Sequence, residues 1–353
     1  MKMSPVRFVI LPIALALALT VPAIAAANDE SKLPPLFTDS DIVDVTIKAP
    51  LTTIMKERSV DDEEQGQLIY EDPVAGETTL DIGIRARGRF RRQKDVCNFA
   101  PLRLNFRKTK GTLFAKSDKL KLVTHCKRKN VRYTQSVLRE YLAYRILNTL
   151  TDVSFRVRLL RATYIDSEDG RTLETNYAFL IEHRDQLAKR IGMEVDESES
   201  TKVDALDSAH TNLVSVFQFM VGNTDFSPIK GVPGEPCCHN YVLMRSDNGI
   251  QFSVPYDFDI TGIVDAQHAT PNPRFRLRNV RQRLYRGRCA NNEYLDSSLQ
   301  VVRERRAEIY ELVNDVPDFS ATSIKKTKAY LDDFYEVADT PKQVERRLTG
   351  MCI

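Results

Sequence analysis

The chain has 353 residues, and its 51 lysines and arginines nearly balance 48 aspartates and glutamates, which gives a formal net charge of +3. A charge so close to balance gives no global argument for a nucleic-acid partner, so only local basic patches bear on that question. The length suits one large two-lobed domain or two ordinary domains, and it allows a sizeable core.

Residues 1–27 have the pattern of a cleaved secretory signal peptide. Lys2 and Arg7 precede an apolar run that ends in alanines. A membrane anchor is the alternative, since about twenty apolar residues can just span a bilayer. Pro12, Pro22 and the alanine-rich end favour cleavage. We therefore predict an exported protein, periplasmic or secreted, with no membrane span after cleavage.

Six cysteines in an exported chain predict disulfide bonds. The six are Cys97, Cys126, Cys237, Cys238, Cys289 and Cys352. Cys97 and Cys126 both lie in the strand-rich first half, which favours a bond between them. The adjacent cysteines at 237 and 238 are expected to bond elsewhere, with the last two cysteines as partners. A zinc site that includes His239 is the weaker alternative, because the chain contains no C-x-x-C pair.

The first half is rich in strand signals. A polar, proline-containing leader over residues 28–40 is predicted to be mobile, and period-two alternation then predicts several strands. One helix interrupts them, so residues 41–186 are expected to form a β-rich N-terminal lobe. The predicted strands lie near 80–84, 102–104, 120–122, 155–165 and 176–182, and the helix covers 134–150.

The second half, residues 187–353, is predicted to be a mainly helical C-terminal lobe. Apolar residues recur at helical spacing in three long segments, and a β-hairpin with the turn Ser246–Gly249 lies between the first two. The predicted helices cover about 204–221, 296–314 and 321–336, with a short one after Pro341, and the hairpin strands cover 241–244 and 250–254.

Three polar clusters lie around this hairpin in a suggestive order. Asn223-Thr224-Asp225 comes first, then His239-Asn240-Tyr241, and then Tyr256-Asp257-Phe258-Asp259. Phosphoryl transfer needs a carboxylate near the attacking hydroxyl, and an asparagine with a second carboxylate on the metal. The hairpin would bring the later two clusters to one edge of a cleft. Hard oxygen ligands of this kind suit Mg²⁺ or Mn²⁺.

These clusters and three other segments resemble the spore-coat protein H (CotH) kinase-like family. The segments are Arg85–Arg89, Leu138–Tyr144 and Ala178–Glu182. Two departures are visible: Tyr256 stands where the family has tryptophan, and Phe99–Arg103 replaces its usual lysine-containing segment. The resemblance implies an α+β, protein-kinase-like two-lobed fold. It also implies an exported enzyme that moves phosphate from Mg-ATP to a hydroxyl of a protein or surface glycan.

The resemblance and the residue chemistry together assign candidate roles. Asp225 would orient the acceptor hydroxyl or accept its proton. Lys121 or Arg103 would contact the phosphates, and Glu140 would form an ion pair with Lys121. Glu182, at the end of a strand, would lie beside the nucleotide. The metal ligands would be Asn240, Asp257 and Asp259.

Two arginine sets complete the sequence picture. The first, at 85, 87, 89 and 91, has period two and would share one strand face. The second places seven arginines between Arg274 and Arg288, where the resemblance puts the substrate cleft, and so favours an anionic protein or glycan acceptor. Solvated ion pairs are the alternative. Nucleic acid is not expected. The alternative function is a non-catalytic surface or envelope binding or assembly protein on the same fold.

Overall fold

The structure, a computed structural model, describes residues 33–231 and 233–353. The predicted signal peptide lies outside the described residues, as do residues 28–32 of the predicted mobile leader. The described part of that leader is buried only in part. Pro35–Phe37 forms a 3-10 turn in which Leu36 and Phe37 are buried in the barrel core, whereas residues 38–40 are exposed.

Seven strands from the first half close into one barrel. The order around the barrel is β1-β2-β3-β4-β5-β7-β6, and β6 returns to pair with β1 in parallel, while the other pairs are antiparallel. The strands are β1 (Val43–Ala49), β2 (Glu64–Asp72), β3 (Gly76–Ala86), β4 (Leu102–Phe106), β5 (Lys119–Val123), β6 (Val157–Asp166) and β7 (Thr172–Ile181).

The predicted protein-kinase-like two-lobed fold is therefore wrong, because a closed barrel of seven strands is a different architecture. Period-two alternation was present in the sequence, and it correctly predicted strands near Leu80, Leu102 and Leu120. Alternation reports only which face of a strand is buried. It carries no information about the pairing of Val43 with Leu160, which closes the barrel.

Eight helices and a small second sheet make up the rest of the described chain. The sheet has the order β10-β9-β8, and its hairpin confirms the predicted one. Its strands are β8 (Glu194–Val195), β9 (Tyr241–Arg245) and β10 (Gln251–Pro255). The helices are α1 (Leu51–Glu57), α2 (Val131–Leu150), α3 (Arg184–Ile191), α4 (Ser208–Val221), α5 (Leu295–Glu304), α6 (Arg306–Asp315), α7 (Ala321–Asp339) and α8 (Pro341–Arg347).

Four of these helices differ from expectation, and one of them is α1, which was not predicted. The helix predicted over 296–314 is divided at Arg305, whose backbone leaves helical geometry between α5 and α6. Helix α3 was not predicted, since its eight residues are mostly polar. Its N-cap is His183, whose ring accepts a hydrogen bond from the Asp185 N–H, and its C-cap is Gly192, which has a left-handed conformation.

Two hydrophobic cores divide the molecule. One fills the barrel interior, with fully buried side chains such as Phe114 and Tyr164. The other lies among α2 and the later helices, and it includes Tyr144, Phe217 and Phe334. Strands β6 and β7 contribute side chains to both cores, and α2 packs on β7. The barrel and the helices are thus joined through shared apolar packing.

The six cysteines form three pairs at disulfide distance. The predicted bond between Cys97 and Cys126 is confirmed, with Cα atoms 4.6 Å apart. The other predicted pairing is wrong, because Cys237 bonds its neighbour Cys238, and Cys289 bonds Cys352. The chain end returns beside residue 289, whose N–H donates to the carbonyl of Ile353. The pairs are compatible with an exported protein. None of the helices in the described chain is long and apolar enough to cross a membrane.

Candidate functional site

A cleft of about 940 Å³ lies between one side of the barrel and the β9–β10 hairpin. On the barrel side it is lined by β3, β4, β5 and the loop of residues 87–101. On the other side it is lined by residues 235–242 and 256–260, together with Asp225. This size falls within the range of small-molecule sites in proteins. Most of the predicted site residues line this one cleft.

Three cations stand side by side on the barrel wall of the cleft. Arg85 on β3 is paired in register with Arg103 on β4, and Arg103 is paired with Lys121 on β5. Like charges directly opposite each other on neighbouring strands are destabilising. The only acidic partner of this row in the described chain is Glu63, whose Oε1 lies 3.7 Å from Arg85 Nε. We call these three residues the basic row.

The electrostatic cost of the row appears in its pKa values. Burial, followed by the charge of Arg85, lowers the pKa of Arg103. Burial and, after it, the charge of the nearby Arg87 lower the pKa of Lys121 to about 7, and the negative charge of Asp257 opposes both effects. The Lys121 Nζ lies 4.0 Å from the centre of the Tyr256 ring, which is its one close aromatic contact.

The loop of residues 87–101 brings further arginines into the cleft. Strand β3 ends at Ala86, so the prediction that Arg87, Arg89 and Arg91 lie on a strand face with Arg85 is wrong. They line the same cleft nevertheless. The disulfide at Cys97 holds the end of this loop against the residues after β5. Arg89 pairs with Glu235 from the opposite wall, so the two walls also touch at the cleft mouth.

Arg91 takes the place predicted for Lys121 beside Glu140. Its Nη1 lies 3.4 Å from Glu140 Oε2 and 3.6 Å from Asp259 Oδ2, and its Nη2 donates to the Thr124 carbonyl. Burial raises the pKa of Glu140 well above its usual value, the charge of Arg91 opposes this, and Asp259 adds to it. The predicted ion pair between Lys121 and Glu140 is not formed. Arg91 was predicted only as a member of the period-two arginine set, and its contacts with Glu140 and Asp259 were not foreseen.

The two aspartates of the predicted metal motif flank a buried anchor. Phe258 is fully buried, with its ring 4.6 Å from that of Tyr144 and 5.4 Å from that of Phe217. The chain leaves β10 after Pro255, and Asp257 adopts a left-handed conformation with φ 64°. The Asp257 N–H donates to Tyr144 Oη at 2.8 Å. Both carboxylates therefore line the cleft, although they would be about 7 Å apart in a regular strand.

The two carboxyl groups are in different electrostatic environments. Burial, with the charge of Asp259 added, raises the pKa of Asp257. Burial also opposes ionisation of Asp259, but a hydrogen bond with His268 and the charge of Arg91 outweigh it and lower the pKa. The His268 Nε2 lies 3.4 Å from Asp259 Oδ2. His268 was not predicted, and its distance of nine residues from the motif gave no signal.

The turn after this motif depends on a close approach by helix α7. A Cβ atom at Gly222 or Gly262 would collide with the Tyr330 side chain, which lies against both glycines. The Gly262 N–H donates to the Gly222 carbonyl at 3.1 Å, and the Ile263 N–H donates to the Val221 carbonyl at 3.0 Å. The close packing therefore requires glycine at position 262.

Asp225 and Asn240 are in contact with each other. The Asn240 Nδ2 donates to the Asp225 carbonyl at 2.6 Å and to its Oδ2 at 3.1 Å. His239 Nε2 lies 3.0 Å from Asp225 Oδ1, and this hydrogen bond raises the pKa of His239. The segment is held from behind by Arg286, which donates to the carbonyls of Thr224 and Phe226. His239 was considered only as a weak metal ligand, so its contact with Asp225 was missed.

Glu182 is engaged in a structural ion pair. Its two carboxylate oxygens accept hydrogen bonds from Arg190 Nε at 3.0 Å and Nη2 at 2.9 Å, and Oε2 also accepts one from the Arg156 N–H. All three residues join the end of β7 to helix α3. Both oxygens of the Glu182 carboxylate therefore take part in hydrogen bonds that stabilise the fold, although Glu182 also lines the cleft.

The arginines between residues 274 and 288 do not line this cleft in the described part of the chain. Arg283 instead donates to the carbonyls of Met220 and Tyr330, and its guanidinium lies 3.6 Å from the Tyr330 ring centre. Arg286 supports the Asp225 segment. Arg274, Arg276 and Arg278 are exposed. These contacts therefore do not support the prediction that this set of arginines borders the substrate cleft.

The cleft contains oxygen donors of the type that bind magnesium. Residues 33–231 and 233–353 contain no group of three or more histidine, cysteine, aspartate or glutamate side chains placed to hold a metal. Magnesium commonly uses only one or two carboxylates with water and substrate phosphates. Asp257 and Asp259 supply two carboxylates. The Asn240 amide nitrogen faces Asp225, which leaves its Oδ1 without a hydrogen bond from the described chain. These are oxygen donors of the kind that magnesium binds together with water and phosphate.

No protein-family model matches the chain, and no curated protein is similar to it in sequence. The resemblance to the spore-coat protein H family therefore stays a prediction that rests on the motifs themselves.

Proposed function

We propose that the cleft binds a magnesium complex of ATP and transfers its terminal phosphate to a hydroxyl group of a protein or surface glycan. The supporting observation is that the basic row of Arg85, Arg103 and Lys121 shares one cleft with Asp225, Asn240, Asp257 and Asp259. A polyanion relieves the repulsion within the row, and a metal relieves the repulsion between the two aspartates. Both relationships favour a ligand that carries negative charge and a divalent cation together.

Each wall has a distinct part in this reaction. Arg103 and Lys121 hold the phosphate oxygens, and Asp257, Asp259 and Asn240 hold magnesium. The metal, when bound, neutralises the negative charge that builds up on the phosphates. Arg91 is not free to bind phosphate while it contacts Glu140 and Asp259, so it keeps the second aspartate oriented.

Asp225 orients the acceptor. Its carboxylate is fixed by His239 and Asn240, yet a carboxylate has about four lone-pair sites, so it can accept another hydrogen bond from a hydroxyl group. The hydroxyl oxygen attacks the terminal phosphorus and the bond to the bridging oxygen breaks. ADP leaves, and the proton passes from the hydroxyl to Asp225 and then to solvent.

The test is the thermal midpoint of the oxidised mature protein with and without magnesium-ATP, for the wild type, Asp257→Asn and Asp247→Asn. The last variant makes the same change in an exposed hairpin turn. At ligand concentrations near a hundred times Kd, binding adds about 2.7 kcal/mol of stability, which raises the midpoint by several degrees. We expect a magnesium-dependent rise in the wild type and in Asp247→Asn, and none in Asp257→Asn. No rise in a cooperatively folding wild type would overturn the proposal.

A non-catalytic binding protein, periplasmic or secreted, is the second candidate. It is favoured by the contacts that already occupy Asp259, since both Arg91 and His268 lie against its Oδ2. Such a protein would bind anions in the cleft without magnesium. A thermal shift with ATP that is the same in EDTA as in magnesium supports this candidate over phosphoryl transfer.

A further inference from the structure

A second basic surface lies beside the cleft, in the loop between β4 and β5. Residues 107–119 contain five cations and one acid, Asp118. Arg107, Lys108, Lys110 and Lys119 are exposed, and none of these four forms an ion pair with any residue in the described chain. We call these four residues the basic platform.

The platform is held in place from beneath. Phe114, in the middle of the loop, is fully buried, with its ring 4.9 Å from that of Tyr70 and 5.0 Å from that of Phe106. The Leu113 N–H donates to Asp72 Oδ2 at 2.8 Å. The loop's apolar residues thus serve the barrel core, which leaves the basic residues outside on a fixed backbone. Because the backbone is already held, a ligand that binds here does not have to order the loop.

The platform continues into the cleft. Lys119 begins β5 and lines the cleft, and it shares a strand face with Lys121, two residues further on. On the neighbouring strand, Arg103 lines the cleft, and Arg107 follows the end of the same strand. Neighbouring strands are about 4.8 Å apart, so cations recur at short intervals from the loop to the basic row.

The side chains of the basic platform narrow the class of partner that it can bind. The large exposed hydrophobic side chains of the described chain lie elsewhere, at residues such as Val74, Phe90 and Val131, and none lies between 107 and 119. Protein partners normally bury an apolar centre, and single-stranded nucleic acids stack their bases on aromatic rings. The platform offers charge without either feature. This combination fits a flexible polymer that carries regularly spaced anions and hydroxyl groups.

We propose that the basic platform binds an anionic polysaccharide and directs it into the cleft. The proposal names the acceptor class for the transfer proposed above, and in that respect it rests on that function. Binding of the polysaccharide itself does not depend on phosphoryl transfer, so the two can be tested separately.

The experiment measures fluorescence anisotropy of a fluorescein-labelled galacturonate oligomer with the oxidised mature protein. The Lys108→Glu/Lys110→Glu variant reverses two platform charges, and Lys325→Glu/Lys326→Glu makes the same change on the exposed face of α7. We expect Kd to rise about tenfold in the platform variant, with a shallower dependence on salt, because fewer cations contact the polymer. The α7 variant should stay within about twofold of the wild type.

Several outcomes would overturn the proposal. These are equal losses in both variants, no binding at physiological salt, or binding of a glutamate peptide or single-stranded oligonucleotide of equal charge that is as tight as that of galacturonate. The magnesium-ATP thermal shift is measured on the same variants. If galacturonate binds but magnesium-ATP does not raise the thermal midpoint, only the proposed phosphoryl transfer is overturned. If magnesium-ATP raises the thermal midpoint but galacturonate does not bind, only the proposed polysaccharide partner is overturned.

Discussion

The two walls of the cleft are built in different ways. Cations on the barrel wall lie on regular strands, where Arg85, Arg103 and Lys121 are paired in register. On the opposite wall, Asn240 and Asp257 both have left-handed backbones, with φ 58° and 64°. That wall is held by side chains from distant parts of the chain, among them Tyr144 and Tyr330.

The two walls are therefore stabilised by different interactions. The barrel wall is fixed by backbone pairing, so single side chains there can change without moving their neighbours. The acidic wall has few ladder hydrogen bonds, and it depends on buried aromatic contacts and close glycine packing. Changes at its supports should therefore move the site residues, whereas changes within the basic row should alter mainly charge.

The largest effect is expected where the barrel wall joins helix α3. Arg190→Ala leaves the buried Glu182 carboxylate without its bidentate partner, so the free energy of unfolding should fall by about 3–5 kcal/mol. Urea unfolding measures this. The matched control in the same helix is Arg184→Ala, whose partner Glu197 is exposed, with an expected loss of at most about 1 kcal/mol. Similar losses in the two variants would contradict the structural role of Glu182.

The next effect tests the acidic wall. Gly262→Ala places a Cβ against the Tyr330 side chain and the Val280 carbonyl, so overpacking should cost about 1–3 kcal/mol of unfolding free energy. Tyr330→Phe removes the nearest atom, the hydroxyl oxygen, and should make the glycine substitution less costly. A double-mutant cycle in urea measures this coupling. Strict additivity of the two changes would show that the glycine is not needed for this contact.

A smaller effect separates function from stability on the barrel wall. Lys121→Gln removes one cation from the basic row, so magnesium-ATP affinity should fall about tenfold, as expected for a lost hydrogen bond to a charged group. The lost contact with Tyr256 is offset by relief of the cost of burying a charge beside other cations, so the ligand-free stability at pH 7 should not fall. Calorimetric titration and urea unfolding measure the two quantities. Lys325→Gln, on α7, is the control, and equal affinity losses in both variants would contradict a specific role.

The last effect is a pH dependence carried by Lys121. Its pKa is about 7 in the folded protein and 10.5 in the unfolded chain, so the unfolded chain binds more protons between these values. Folding stability should therefore rise with pH from about 7 to 10.5, relative to Lys121→Gln. Urea unfolding of both proteins across this range checks the sign. Parallel pH profiles would show that Lys121 titrates normally in the folded state.

The sequence predicted much of the local structure. The strands at Leu102 and Leu120, the α2 helix and the β9–β10 hairpin follow from apolar periodicity and a turn-forming segment, and all four are present. Cys97 and Cys126 were paired correctly because both lie in one strand-rich region. Pairings between distant segments were not accessible in this way, and the remaining two disulfides and the overall fold were therefore predicted incorrectly.

The candidate site shows the same division. Asp225, Asn240, Asp257, Asp259, Lys121 and Arg103 were chosen from their chemistry and order, and the structure places them all in one cleft. Their partners were not foreseen. Arg91, and not Lys121, forms the ion pair with Glu140. His239 contacts Asp225, and Arg190 forms an ion pair with Glu182. Ion pairs of this kind join residues whose separation along the chain has no fixed period.

By itself, the sequence determined many of the segments that form strands and helices, and which side chains have the chemistry for anions and metal. Those properties depend on residue type and on neighbours a few positions away. Only the tertiary structure decided that β6 returns to β1, that Phe258 is buried between two aspartates, and that a basic row faces an acidic wall. Contacts across the chain are selected by the packing of the whole core, which no local pattern records.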